Sequence, residues 1–260
     1  MRPLEDQTIL ITGSTDGHGR RVAEELVERG ASVLVHGRDP DKVARVTEEI
    51  GAASALVADL ARLDDVRRLA DEVDQLDTLV NNAGIVIPER QESVDGYELT
   101  LAVNYLSHFL LTALLLPKLR EPARIVNVSS IGQYPLDFDD LQYEQDFNGY
   151  YAYAKSKLAQ ILFTRELAER VGDRDITVNA LHPATLMDTN MVLGPGGTPQ
   201  SSVEEGVEAT LRLIADPSLD SVTGAFFNGE RDWRPDAQAD DPEARRRLWE
   251  ESERLTGVTS

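Results

Sequence analysis

Short runs of β-branched and aliphatic residues alternate with longer amphipathic stretches along most of this chain. The run 8–12 (TILIT) suits a buried strand, and a glycine-rich turn separates it from a helical stretch over about 20–29. Residues 32–36 predict a second strand. Pro40 then opens a helix at its first turn, where a missing N–H costs nothing, and Gly51 ends it. The same reading gives strands at 54–58, 78–81, 124–128 and 176–181, with helices over 64–73, about 99–116 and about 150–170. The tail 242–256 (PEARRRLWEESERLT) also has helical spacing. Strands that are apolar throughout and joined by helices predict a parallel sheet covered on both faces. The expected fold class is therefore α/β, a doubly wound parallel sheet of about seven strands. Such a sheet binds ligands beyond the carboxyl ends of its strands.

Two segments break the alternation. Residues 133–149 form a long acidic and aromatic insertion, and 194–200 (GPGGTPQ) reads as a flexible, turn-rich loop within a substrate-loop region, 186–206. With no internal repeat and no clear boundary, residues 1–260 read as one domain.

Composition narrows the function classes. Hydrophobic residues make up 41% of the chain, an ordinary globular share. There is no cysteine, which excludes disulfides and thiolate metal sites. The four histidines are spaced too widely to suggest a metal cluster, so no metal is expected. The formal net charge of −20 disfavours nucleic acid and anionic membranes as partners, and any phosphate site must be locally positive. There are four lysines (Lys42, Lys118, Lys155, Lys157) and 22 arginines. A surface suited to high salt and a high-GC genome bias account for that balance equally. The apolar run 109–116 is too short to span a bilayer, and residues 1–7 lack the profile of a secretory signal. A cytoplasmic enzyme is the expectation.

Gly13, Gly17 and Gly19 (TGSTDGHGR) sit between the first strand and its helix. Glycine there lets the backbone turn sharply and approach a pyrophosphate, which the helix N-terminus then attracts. The spacing is G-x3-G-x-G. It resembles the cofactor loop of short-chain dehydrogenases/reductases, and the resemblance continues in order along nearly the whole chain. Asp59-Leu60 follows the third strand, Asn81-Asn82-Ala83-Gly84 the fourth, and Asn104 lies in the long helix. Ser129-Ser130, Tyr153-Ala154-Lys155-Ser156-Lys157 and Pro183 complete the series. The stretches DFDDLQ, AYAKSKLAQILFTRELAER, VNALHPAT and RRRLWEESERLTG look most like the branch of retinol dehydrogenases and WW-domain oxidoreductases.

The resemblance implies a single-domain Rossmann fold and hydride transfer between a nicotinamide cofactor and a carbonyl or alcohol carbon. Tyr153 would act as general acid/base, and Lys157, one helical turn on, would favour its phenolate and hold the nicotinamide ribose. Ser130 would bind the substrate oxygen, and Asn104 the water that resupplies the proton. The cofactor contacts implied are Gly13, Ser14, Thr15, Gly17, His18, Gly19, Asp59, Leu60, Asn82, Ala83, Gly84, Tyr153, Lys157, Pro183, Thr185 and Thr189. Tyr151 and Lys155 make a second Y-x3-K, but Ser156-Lys157-Leu158-Ala159 fits the family pattern around its lysine better. Ser129 is the alternative to Ser130.

After the second strand, Gly37 stands where NAD-specific members carry an acid, and Arg38 follows it. An arginine can pair a 2′-phosphate, which favours NADP(H) over NAD(H), while Asp16 and Asp39 weaken the case and a solvated Arg38 is the bland alternative. His18 replaces an apolar residue, and His36, His108 and His182 read as structural. Tyr134, Leu136, Met191 and Leu193 are candidates for a pocket suited to a small hydrophobic carbonyl or alcohol. Family precedent also suggests a homodimer or homotetramer built on the two long helices. The rival reading is a non-catalytic NADP(H)-binding sensor or scaffold.

Overall fold

The structure, a computed structural model, describes residues 1–193 and 196–259. Among these, strands form one sheet in the spatial order β3 (Ser54–Val57), β2 (Ser32–Gly37), β1 (Thr8–Ile11), β4 (Leu76–Asn81), β5 (Leu119–Val128), β6 (Ile176–His182), β7 (Phe226–Asn228) and β8 (Arg231–Asp232). All neighbours run parallel except β7 and β8, an antiparallel pair that adds a two-residue edge to the seven strands expected. The strand order reverses between β1 and β4, so the loops leaving them diverge and open a crevice.

Each strand feeds two cores because successive side chains point to opposite faces. On β1, Ile9 and Ile11 pack under α1 (Gly17–Glu28), α2 (Pro40–Ile50) and α8 (Val203–Ala215), while Leu10 joins the opposite layer. That layer holds α3 (Leu63–Glu72), α6 (Gly149–Arg170) and α9 (Pro242–Thr256). Local signals set the helix ends. The Asp39 carboxylate accepts from Lys42 N at 3.1 Å, Pro40 opens α2, and Gly51 ends it at φ +70°. Helix α8 falls between the last strand expected, 176–181, and the helical tail 242–256, where the pattern predicts no element. Its Ser202-x-x-Glu205 capping box was nevertheless readable. A short helix, α7 (Asn190–Leu193), precedes the loop 194–200, whose first two positions lie outside the described residues.

The central helix is built in pieces. The Glu98 carboxylate accepts from Thr100 N and Leu101 N at 2.8 and 2.6 Å, starting α4 (Leu99–Leu101). A π turn, Ala102–Leu106, joins it to α5 (Ser107–Leu115), and a 3₁₀ turn ends it. The run 109–116 understated this element: Leu99–Lys118 is a 20-residue helix long and apolar enough to cross a membrane. Its residues 101–112 are all buried in the protein core, which accounts for that apolarity.

Helix α9 covers α5 and α6. Trp249 meets Phe109 edge-on at 5.0 Å and stacks on Phe163 at 5.9 Å, with the Arg170 guanidinium 4.1 Å from its ring. Tyr105 Oη and Ser252 Oγ are 2.7 Å apart below it. These faces thus belong to the chain's own core.

Replacing Trp249 by Ala deletes the centre of this aromatic cluster. We expect a loss of about 3–5 kcal/mol in urea unfolding; a loss below ~1 kcal/mol would mean that α9 is only loosely applied.

Candidate active site

The loop between β1 and α1 is tied to its neighbours by the backbone. Ser14 N donates to His36 O and His36 N to Ser14 Oγ, both at 2.9 Å, and Gly13 N donates to His36 Nδ1 at 3.0 Å. A Cβ on Gly19 would collide with Gly13 O and the Asn82 side chain, so only glycine closes the turn. From the other side of the crevice, Asn82 N and Ala83 N donate to Thr12 Oγ1 at 2.9 and 3.0 Å, and Asn82 Nδ2 donates to Thr12 O at 2.8 Å. The loops after β1 and β4 are thereby one unit.

His18 corrects an expectation. Its imidazole is buried, with Nδ1 2.9 Å from Asn82 Oδ1 and Nε2 3.1 Å from Gly206 O and 3.0 Å from Thr210 Oγ1. The side chain clamps the loop to α8, and only its backbone remains for a ligand. Leu60 is likewise a core side chain, while Asp59 Oδ1 caps Ala61 N at 3.0 Å.

At the end of β2 the charges separate. Asp16 caps Gly17 N at 2.8 Å and pairs with Lys42 at 2.8 Å, and Asp39 caps α2. Arg38 is exposed and makes no hydrogen bond or ion pair with the described residues. A Cβ on Gly37 would lie 2.7 Å from Thr15 Cγ2, so Thr15 occupies the space an acidic side chain there would need.

The four residues expected to carry chemistry converge around Lys157. Its side chain is buried, with Nζ 5.5 Å from the Tyr153 ring centre and donating to Val128 O at 2.8 Å and Gln160 Oε1 at 3.1 Å. Burial lowers its pKa to about 7. Tyr153 is pushed up by burial, opposed by its hydrogen bond to Ser130 and reinforced by Tyr150. Ser129 Oγ donates to Lys157 O at 2.7 Å, which leaves Ser130 as the serine facing Tyr153. Asn104 sits in the π turn; its Oδ1 accepts from Ile85 N at 2.8 Å, and its Nδ2 donates to Ile85 O at 2.9 Å and Ser156 Oγ at 3.0 Å. A Cβ on Gly84 would lie 3.5 Å from Lys157 Nζ and 3.6 Å from Asn104 Oδ1, which brings the loop after β4 against both.

The alternative pair points elsewhere. The Tyr151 ring lies 4.6 Å from that of Tyr134, and Lys155 Nζ lies 4.1 Å from the Tyr143 ring, so both residues face the insertion. Beyond Pro183, Thr185 Oγ1 is 3.1 Å from His182 Nε2, and Thr189 lies over the cofactor loop, its Cγ2 3.2 Å from where a Gly17 Cβ would stand.

Val86, Ile131, Tyr134, Leu186, Met191 and Leu193 are exposed on segments that leave the carboxyl ends of β4, β5 and β6. Leu136 is the exception among the pocket candidates. It is buried in the core, with its N–H and C=O held by the Gln238 side chain at 2.6 and 3.0 Å. Sequence reasoning missed Gln160 and the part His108 plays beside it; both are polar residues within apolar runs, the signal that would have exposed them.

The fold and crevice define a dinucleotide-binding α/β protein with a Ser-Tyr-Lys constellation. A family model for short chain dehydrogenase matches residues 7–194. Retinol dehydrogenase 13 of Homo sapiens is 36% identical over 98% of this chain and 86% of its own length, and polyprenol dehydrogenase of Mus musculus is 36% identical over 98% and 85%. A crystal structure of an uncharacterized protein from Mycobacterium paratuberculosis superposes with a TM-score of 0.85, at 31% identity over 97% of this chain and 94% of that one. The chain belongs to the short-chain dehydrogenase/reductase family and resembles its retinol dehydrogenases.

Burial lowers the pKa of His36 to about 4, of His108 to about 3 and of His182 to about 4, from 6.5. The unfolded chain therefore takes up protons that the fold refuses. Their contribution is complete above about pH 6.5 and is lost as pH falls towards about 4, by roughly 1 kcal/mol per pH unit for each histidine. Urea midpoints compared at about pH 7.5 and about pH 5, in salt high enough to screen the acidic surface, should show the fall. A flat profile would show that the histidines are not neutral in the fold.

Proposed function

We propose that this chain is an NADP(H)-dependent oxidoreductase that interconverts an apolar alcohol and its carbonyl compound. The observation that carries this reading is the convergence of Ser130, Tyr153 and Lys157 at the carboxyl edge of the sheet, beside the glycine loop. A sensor or scaffold would have no need for a buried lysine against a half-buried tyrosine.

The bound cofactor would supply or accept the hydride. Gly13, Gly17 and Gly19 would let the backbone reach its phosphates, and the N-terminus of α1 would add favourable dipole there. Arg38 would pair the 2′-phosphate, consistent with its lack of a partner among the described residues and with the space taken by Thr15 over Gly37. Ser130 would hydrogen-bond the reacting oxygen, and Tyr153 would give it a proton in reduction or take one in oxidation. Lys157, when charged, would draw the phenol towards phenolate. The named substrates of the two relatives, retinol and polyprenol, support an apolar alcohol, as does the exposed apolar rim. A cytoplasmic setting remains part of the proposal and is read by fractionation of the producing cells.

The decisive experiment assays NADPH and NADH oxidation with a panel of apolar aldehydes and ketones. Tyr153→Phe should lower turnover roughly hundredfold to ten-thousandfold with NADPH binding unchanged. Turnover that survives in Tyr153→Phe would sink the assignment. Arg38→Ala should weaken NADPH binding by roughly tenfold or more and leave NADH binding as it was. An equal effect on both cofactors would exclude a 2′-phosphate contact.

A further inference from the structure

A protonated lysine has three N–H donors and, once buried, needs acceptors for them. Lys157 finds two at its Nζ, the Val128 carbonyl at 2.8 Å and the Gln160 side-chain oxygen at 3.1 Å. The titratable groups packed against it are Tyr153 on its own helix, His108 on α5 and His182 on β6. None is acidic, so the ammonium has no counter-charge among them. Gln160 therefore holds the adjustable acceptor on this charge, the other being main chain.

The orientation of that amide follows from its neighbours. With Oε1 on the ammonium, Nε2 faces His108 Nδ1 at 3.1 Å and must donate to it. His108 then offers a lone pair at Nδ1, while its Nε2 lies 3.3 Å from Thr12 Oγ1. Thr12 Oγ1 is the atom that receives Asn82 N and Ala83 N from the loop after β4. Gln160 and His108 are both about 1% exposed, and Thr12 is wholly buried. Two hydrogen bonds thus link the central helix, through Gln160, to the lysine.

We propose that Gln160, with its amide fixed by neutral His108, is the positioning residue that keeps the Lys157 side chain in place and protonated. Burial and the nearby lysine hold the His108 pKa at about 3, so the ring does not charge near neutrality and the amide is not driven to flip. Neither residue reaches the reacting atoms; both act through Lys157. The purpose of this arrangement rests on the oxidoreductase reading above, but its test does not.

The chain has only four lysines, so lysine labelled with ¹³C and ¹⁵N at its terminal atoms gives four signals to assign. Lys157→Arg identifies the one of interest. Its titration is followed by NMR in the protein without cofactor or substrate. Gln160→Met keeps the length of the side chain and removes the acceptor, and should lower the Lys157 pKa by about one unit. Gln160→Glu puts a carboxylate beside the ammonium and should raise it by about one unit or more. His108→Leu frees the amide to turn and should shift Lys157 in the same direction as Gln160→Met. The Glu variant decides the matter by itself if the Met variant does not fold. A Lys157 titration that ignores residue 160 in the Glu variant, or in both folded variants, overturns the proposal and leaves the oxidoreductase reading standing. A titration that follows residue 160, in a protein whose turnover survives Tyr153→Phe, sustains this proposal and overturns that reading instead.

Discussion

The ammonium of Lys157, buried beneath the carboxyl edge of the sheet with no carboxylate facing it among the described residues, constrains what surrounds it. Two acceptors reach it, a main-chain carbonyl of β5 and the side chain of Gln160, and each must be placed to a fraction of an ångström to be of use. The helix carrying it is pinned from β5, where Ser129 Oγ bonds the lysine's own carbonyl. The loop after β4 closes on it through Gly84, and the π turn of the central helix brings Asn104 alongside. A π turn inserts one extra residue into a helix and so re-aims the side chains around it. Here it lets Asn104 hold the loop backbone at Ile85 with both ends of its amide.

The strong negative charge of the chain meets a different solution at the cofactor loop. Asp16 and Asp39 both lie there, yet each is engaged as a helix cap, and Asp16 is further paired with Lys42. Ions caught in such local pairs project little field across a Debye length of about 8 Å. Arg38, left unpaired among the described residues, is then the exposed cation best placed for an anionic group. A chain with net charge −20 can in this way present a locally positive edge.

The C-terminal part of the chain joins the core and the mouth of the crevice. Helix α9 closes the aromatic cluster over α5 and α6, and the segment before it holds the insertion through Gln238 and, by Asp236 N on Gln133 Oε1 at 2.7 Å, the strand β5 loop. The insertion is consequently packed on one side, at Leu136 and Phe138, and exposed on the other, at Tyr134. That division separates structural from rim residues within a segment that reads as uniformly loop-like.

The strands, most of the helices and the candidate motifs were legible in the amino-acid sequence, because they rest on local facts. An apolar run between turns makes a buried strand, Pro40 and Gly51 bound a helix, and Tyr153 and Lys157 share a helix face whatever the rest of the chain does. The cofactor loop was legible for the same reason, since its glycines answer a steric demand of their own backbone. The directions of the pKa shifts at Tyr153 and Lys157 were not legible, because burial is a property of the whole packed assembly. Nor were the roles of His18, which meets Asn82 64 positions away, and of His108 and Gln160, which meet each other across 52. The covering of α5 and α6 by α9 belongs with these. An amphipathic tail declares that it has an apolar face, but which surface receives that face is decided only when every other element has taken its place.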